Sequence, residues 1–252
     1  MRPVLIDLET RATVDLREIG VSNYIHHPAT MPLSLVALLD DELHVWLNIE
    51  ALQTWWKDGE RQRNDDTINI DHVRANVDCD RDWVLHVGDE IPTVIADAVT
   101  AGRTFAAHNA HGFDAPFWEH HIQPVPTQWL DTMFLARSLG LPGKLQGKHE
   151  SGRFLSQFYS ADKPAPMGHV HNLITYNIHD VLAMEAIIAE QSEYVEPDVV
   201  RAHVAVNARG VGVDLPLIQQ IIEAQHIATQ NAASEIEELT GGEVKPHMLR
   251  SI

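Results

Sequence analysis

The sequence predicts an α/β fold: a mixed sheet of antiparallel hairpin strands plus a parallel strand, flanked by helices, with a C-terminal helical extension. Three observations lead there. Residues 3–10 and 32–47 carry short aliphatic runs, the second interrupted by Asp40-Asp41-Glu42 as a hairpin turn. "RTFAAHN" reads as another strand, followed by "GFDAPFWEHHI", a turn and a helix. Residues 172–191 place Leu173, Tyr176, Asp180, Met184, Ile187 and Ile188 on related faces of one helix.

The elements follow in order. "EIPTVIADAVTAG" fits a short helix, with Pro92 near its start and Gly102 beyond its end. "DTMFLARSLGL" has helical spacing and Asp131 as N-cap. "LPGKLQGKHESGR" is a loop rich in glycine and lysine that leads towards another helix. Residues 48–87 are polar and read as an irregular or partly helical insertion. Glu196-Pro197 marks a break, and the remainder reads as a helix, a glycine turn and a longer helix. The expected division is 1–192 and 193–252, with an early three-stranded sheet to which helices are added.

Composition bounds the function. A chain of 252 residues, 44% hydrophobic and 21% charged, can bury one substantial core. Its net charge of −18, from 36 acidic and 18 basic residues, argues against a basic-patch nucleic-acid binder. Carboxylates gathered around divalent ions soften that objection. Cys79 is the only cysteine, which excludes an internal disulfide and a thiolate metal cage. The longest apolar stretch, "LSLVALL", is too short to span a membrane, so no membrane partner and a cytoplasmic setting are expected.

Asp7 and Glu9 sit two apart in "LIDLETR", so they share one face of a strand whose other face carries Ile6 and Leu8. Two like charges there repel each other, and they require either a rim position or a nearby cation. Asp114 follows Phe113 at a strand-to-helix turn, where N-capping is an aspartate's ordinary role. Tyr176 and Asp180 are one helical turn apart. Each of these has a structural explanation alone; as a series they are oxygen ligands of the kind that Mg²⁺ and Mn²⁺ prefer. Two such ions roughly 3.5–4 Å apart would serve phosphodiester cleavage.

The series D-x-E, N-x-x-x-F-D and Y-x-x-x-D resembles the DEDD exonucleases of ribonuclease-H-like fold, in the subclass with tyrosine in the last motif. The sister subclass has a histidine five residues before the last aspartate; Thr175 stands there in this chain. The second motif, "HNAHGFDAP", is one residue longer than in bacterial proofreading domains. That longer form, with "LDTMFLARSLGLPGKLQGKHE" and "YNIHDVLAMEAIIAE", is similar to the proofreading domains of phage family A DNA polymerases. "NARGVGVDLPLIQQII" is similar to the start of the polymerase portion of that family. No palm-type carboxylate motifs follow, so no polymerase activity is expected of this chain. An excised portion, a split-gene product and a free-standing exonuclease all fit.

The resemblance implies a proofreading-type 3′–5′ DNA exonuclease. Asp7, Glu9, Asp114 and Asp180 would ligate two Mg²⁺ or Mn²⁺ ions, and Tyr176 would orient the attacking water. Thr10 and Asn109 would touch the terminal nucleotide. Leu8 and Phe113 are candidate wedges against the last bases and equally good core residues. Lys144, Lys148 and Arg153 would hold single-strand phosphates, with a solvated loop as the alternative. The expected partners are a single-stranded DNA 3′ end and, through 193–252, a DNA polymerase subunit or domain. A phage-encoded chain would work in the host cytoplasm.

Zinc is a poorer match for the 16 histidines, since no H-E-x-x-H occurs and the pairs His26-His27 and His120-His121 are adjacent in sequence. Two other classes stay open: a DEDD exoribonuclease, because the motifs do not read the sugar, and a non-catalytic scaffold for a polymerase. Inactive versions usually lose a carboxylate, and this chain has all four and Tyr176.

Overall fold

Strand β1 (Val4–Arg11) is buried on both sides of the sheet, which explains why its aliphatic residues run almost unbroken. It pairs antiparallel with β2 (Met31–Leu39), which pairs antiparallel with β3 (Glu42–Asn48). Asp40 and Asp41, with φ of 49° and 72°, make the two-residue turn between them. Positive φ at both positions matches the twist of the flanking strands. Across β1 lies β7 (Phe105–Ala107), parallel to it, and then β8 (Trp129–Asp131), parallel to β7. β6 (Trp83–Gly88) runs parallel to β3 at the far edge, giving the order β6-β3-β2-β1-β7-β8. The sheet is thus mixed, antiparallel through the hairpin and parallel towards both edges, as the sequence predicts.

The computed structural model describes residues 2–141, 152–191, 202, 205–206 and 214–242. Contacts divide the chain into two units, Met1–Glu196 and Pro197–Ile252. In the first, alternation along β1 builds two cores. Val4, Ile6 and Leu8 pack with Ile95, Ala98 and Val99 of α5 (Thr93–Thr100) and Phe117 and Trp118 of α6 (Ala115–His121). Leu5 packs on the other face with Leu173, Ile174, Ile178 and Val181 of α9 (Val170–Gln191). Asp7 and Glu9 share Leu5's face, so the sheet turns them towards α9.

Residues 48–87 are more regular than their polarity suggests. They hold α3 (Ile49–Gln53), a ribbon of β4 (Thr54–Lys57) and β5 (Glu60–Arg63), α4 (Ile70–Asn76) and β6. Asparagine caps start both helices. Asn48 Oδ1 accepts from Ala51 N at 3.1 Å, and Asn69 Oδ1 accepts from His72 N at 2.9 Å. A few buried apolar residues, among them Ala51, Leu52 and Val73, tie the segment to the core. The early three-stranded sheet therefore gains β6 and β8 as well as the expected parallel strand.

The short helix after Pro92, α7 (Thr132–Ser138) and α9 lie where their periodicity put them. α8 (Gly152–Tyr159) stands where the glycine- and lysine-rich segment was expected to lead into a helix. Lys144 and Lys148 lie outside the described residues, as does the side chain of Arg153. In the second unit a helix, Leu215–Thr240, is capped by Asp214, which accepts from Leu217 N at 3.0 Å. Its Leu217, Ile218, Ile221 and Ile222 are exposed. Among the described residues no helix is long and apolar enough to cross a membrane.

Candidate active site

Three elements of the first unit bring four carboxylates together. β1 supplies Asp7 and Glu9, and α9 supplies Asp180 with Tyr176 one turn earlier. Asn177, fully buried, holds α9 on the sheet by donating from Nδ2 to Ser34 Oγ at 3.2 Å. Ser34 is the residue of β2 that pairs with Glu9, so this small neighbour and the anchor coincide. A register shift between Glu9 and Thr10 then redirects the strand just past the acidic pair.

Asp114 arrives by a different device. Ala110–Asp114 form one π-helical turn, closed by Ala115 N–H donating to Ala110 O. A π turn accommodates one residue more than an α turn, which accounts for the longer second motif. Asn109 begins it with φ of 73°, a left-handed conformation that asparagine tolerates. Asp131 fixes the turn from beneath. Its carboxylate accepts from Asn109 N at 3.2 Å and His111 N at 3.3 Å. It also caps α7, accepting from Met133 N at 3.0 Å and Phe134 N at 3.2 Å. Asp131 is thus both helix cap and brace.

The electrostatics show how close the carboxylates are. Burial first, then Glu9, Asp180 and Asp114, hold Asp7 well above the usual carboxylate range. Glu9 is pushed up to about 8 by burial, with Asp180 and Asp114 adding to it and a hydrogen bond from Tyr159 opposing it. Burial also lifts Asp114 to about 8, with Asp131 contributing, against a hydrogen bond from its own backbone. Asp180 rises to about 6 through burial, opposed by hydrogen bonding from Tyr176 and by His179. The phenols of Tyr159 and Tyr176 are both raised, by burial above all.

Each of the charged groups that shift Asp7 is another carboxylate, so among the described residues none supplies Asp7 with a cation. Arg11, the nearest arginine in sequence, is 1% exposed and directs its guanidinium elsewhere. It donates to Ala51 O and Ser160 O, each at 3.1 Å, and to Lys163 O.

Two observations bear on whether divalent ions would suit this donor set. Asp7 Oδ2 is buried and accepts no hydrogen bond from the described residues, and the four carboxylates offer only hard oxygens. Among the described residues no group of three or more His, Cys, Asp or Glu side chains is placed so that it could hold a metal ion as it stands. The carboxylates repel across a shared space, the arrangement that cations would draw in.

A cleft of about 760 Å³ opens beside this group, lined by Glu9, Thr10, Thr13, Tyr24, Tyr159 and Tyr176 among others. Tyr159, from the end of α8, was not legible as a site residue: its partner Glu9 is remote in sequence and no motif spacing links them. Thr10 is 8% exposed, and its hydroxyl is 2.9 Å from that of Tyr24. Phe113 is half-buried, stacked on Phe117 at 5.6 Å between centroids and tilted against Tyr24 at 6.2 Å. Leu8 lies in the core with Ile6, a packing residue with no face for a base. Histidines do meet through tertiary contact, as His26 with His120 at 4.6 Å and His72 with His171 at 5.1 Å between centroids.

Fold and carboxylate group together describe an acidic-site α/β domain. No family model matches the chain. It is 25% identical over 271 aligned residues to the DNA polymerase of Bacillus phage SP02, a match over 96% of this chain and 36% of that protein. The chain thus spans about a third of that relative's length. A solved structure described as the apo form of the nuclease is similar at 13% identity and a TM-score of 0.35, over 81% of this chain and 79% of that one.

Proposed function

We propose that this chain is a 3′–5′ DNA exonuclease that uses two Mg²⁺ or Mn²⁺ ions, releases nucleoside 5′-monophosphates and proofreads for a phage DNA polymerase. One observation carries the reading: β1, the π turn and α9 group Asp7, Glu9, Asp114 and Asp180, and every charged group that shifts Asp7 is another of these carboxylates. Asp7, Glu9, Asp114 and Asp180 would hold the ions, which when bound supply Lewis acidity and charge neutralisation for phosphodiester hydrolysis. Tyr176 keeps its proton, because its surroundings raise an already high pKa. Its hydroxyl, bonded to Asp180, orients the attacking water towards phosphorus as the 3′ oxygen departs. The hydrogen bond from Tyr159 favours the charged form of Glu9 that a cation needs, against the burial that favours the neutral one. Thr10 and Asn109 flank the place of the terminal nucleotide.

The distant likeness to a phage DNA polymerase supports the proofreading assignment, and the exposed apolar face of Leu215–Thr240 supports docking of a polymerase subunit or domain. The test is a gel assay on 5′-labelled single-stranded DNA and RNA with Mg²⁺, Mn²⁺ or EDTA. A ladder shortening from the 3′ end, dependent on metal, faster on DNA and absent in Asp7→Ala, is expected. Intact strands in every metal would sink the reading.

A further inference from the structure

Beyond the catalytic cleft, the β4–β5 ribbon forms a second hollow, of about 480 Å³, lined by Thr13, His27, Pro28, Ala29, Trp56 and the ribbon tip. Thr13 lines both the cleft and the hollow, so the two lie on either side of one residue. The ribbon is fixed to the site's own framework through main-chain bonds. Trp56 N donates to Ala161 O at 2.7 Å, Ala161 N to Ala12 O at 2.7 Å, and Ala12 N to Tyr159 O at 3.1 Å. Trp56 is half-buried and lines the hollow.

We infer that this hollow is a subsite for an unpaired nucleobase, stacked on Trp56, of the strand whose 3′ end occupies the carboxylate site. The inference rests on the exonuclease reading and extends it to how the strand is held. An aromatic face suits any base and needs no sequence readout. The charges in the hollow select the base over the phosphate. Asp58 and Asp162 also line it and repel phosphate, while Asp162 accepts from Ser160 Oγ and acts on the Arg11 guanidinium. The backbone of the strand therefore stays outside, beside the exposed Lys57 and Lys163. This gives a protein of net charge −18 a means of gripping a polyanion that does not depend on cationic contacts.

The test is tryptophan fluorescence of the full chain in EDTA, titrated with dT10, rU10 and dT2. The decamers are expected to quench emission and to bind more tightly than dT2. Trp56→Phe should remove most of the quench and keep the affinity, since phenylalanine still stacks. Trp56→Ala should weaken decamer binding roughly tenfold and erase its advantage over dT2. Raising salt from 50 to 200 mM should change the dissociation constant by less than about tenfold. An unaltered affinity in Trp56→Ala, or a quench that persists in Trp56→Phe, overturns the subsite and leaves the exonuclease standing if the gel ladder is present. Absence of both ladder and binding removes the exonuclease reading and this inference together.

Discussion

Gly112 lies directly under the side chain of Asn109: a Cβ at Gly112 would sit 2.3 Å from Asn109 Oδ1 and 2.8 Å from its Cγ. Contact that close admits no side chain unless the asparagine moves. Gly112→Ala is therefore expected to swing Asn109 off the turn at a stability cost of about 1 kcal/mol, because only a side-chain end is displaced. Activity should fall by more than that figure implies. Asn109→Gly retains the left-handed backbone and deletes the same side chain. Matching losses of kcat/KM in the two variants, with urea midpoints near wild type, would show that the asparagine side chain serves the substrate. Full activity in both would show that it serves only the turn.

The carboxylates make a prediction about pH and metal. Their folded-state values lie above those of an unfolded chain, Glu9 and Asp114 at about 8 and Asp180 at about 6. The neutral forms are favoured in the fold, so their stabilising effect is present at low pH and lost as pH rises through those values. In EDTA the melting temperature should fall between about pH 5 and pH 9. Millimolar Mn²⁺ or Mg²⁺ should flatten that fall, and Asp7→Asn should raise the melting temperature at pH 8 without metal while abolishing cleavage. A metal-free melt that climbs towards pH 9 would contradict the clustering.

The two tyrosines should separate by readout. Tyr176→Phe removes the hydroxyl proposed to orient water, and kcat should drop by about 10²-fold with little change in the metal concentration required. Tyr159→Phe removes the hydrogen bond that favours ionised Glu9. More Mn²⁺ should then be needed for half-maximal activity, with kcat at saturation closer to wild type. Metal titrations of the two variants distinguish these patterns, and identical curves would discard the division of roles.

Asp131 bears four backbone N–H groups from two elements. Asp131→Ala should destabilise by about 2–3 kcal/mol, more than an ordinary N-cap loss, because the π turn loses its support with α7. Asp131→Asn retains one acceptor oxygen and should recover part of that. Chemical denaturation measures both, and a loss no larger than about 1 kcal/mol would mean that Asp131 caps α7 alone.

What could be read in advance divides along physical lines. β1, the hairpin and α9 carry periodic apolar patterns whose burial decides their structure, and they stand as expected. β8 is three residues long, too short for any period, and β6 is a half-exposed edge strand within polar flanks. Asp7, Glu9, Asp114 and Asp180 were visible because their spacings follow element geometry. Tyr159 and Trp56 were not, since each reaches the site by pairing across the whole first unit. Arg11 stood in plain view beside Glu9. Its role depends on carbonyls 40, 149 and 152 residues away, which no local pattern reveals.

The widened turn at Ala110–Asp114 has a consequence for ancestry. An inserted residue in most helices would rotate everything downstream by about 100° and aim Asp114 away from its companions. A π turn absorbs one extra residue within itself, and the one at Ala110–Asp114 still delivers Asp114 to the acidic group. Distance counted in residues and position held in space have come apart in this chain. Relatives that share the site can therefore differ in the letters between its members, and a search written as fixed intervals would pass them by.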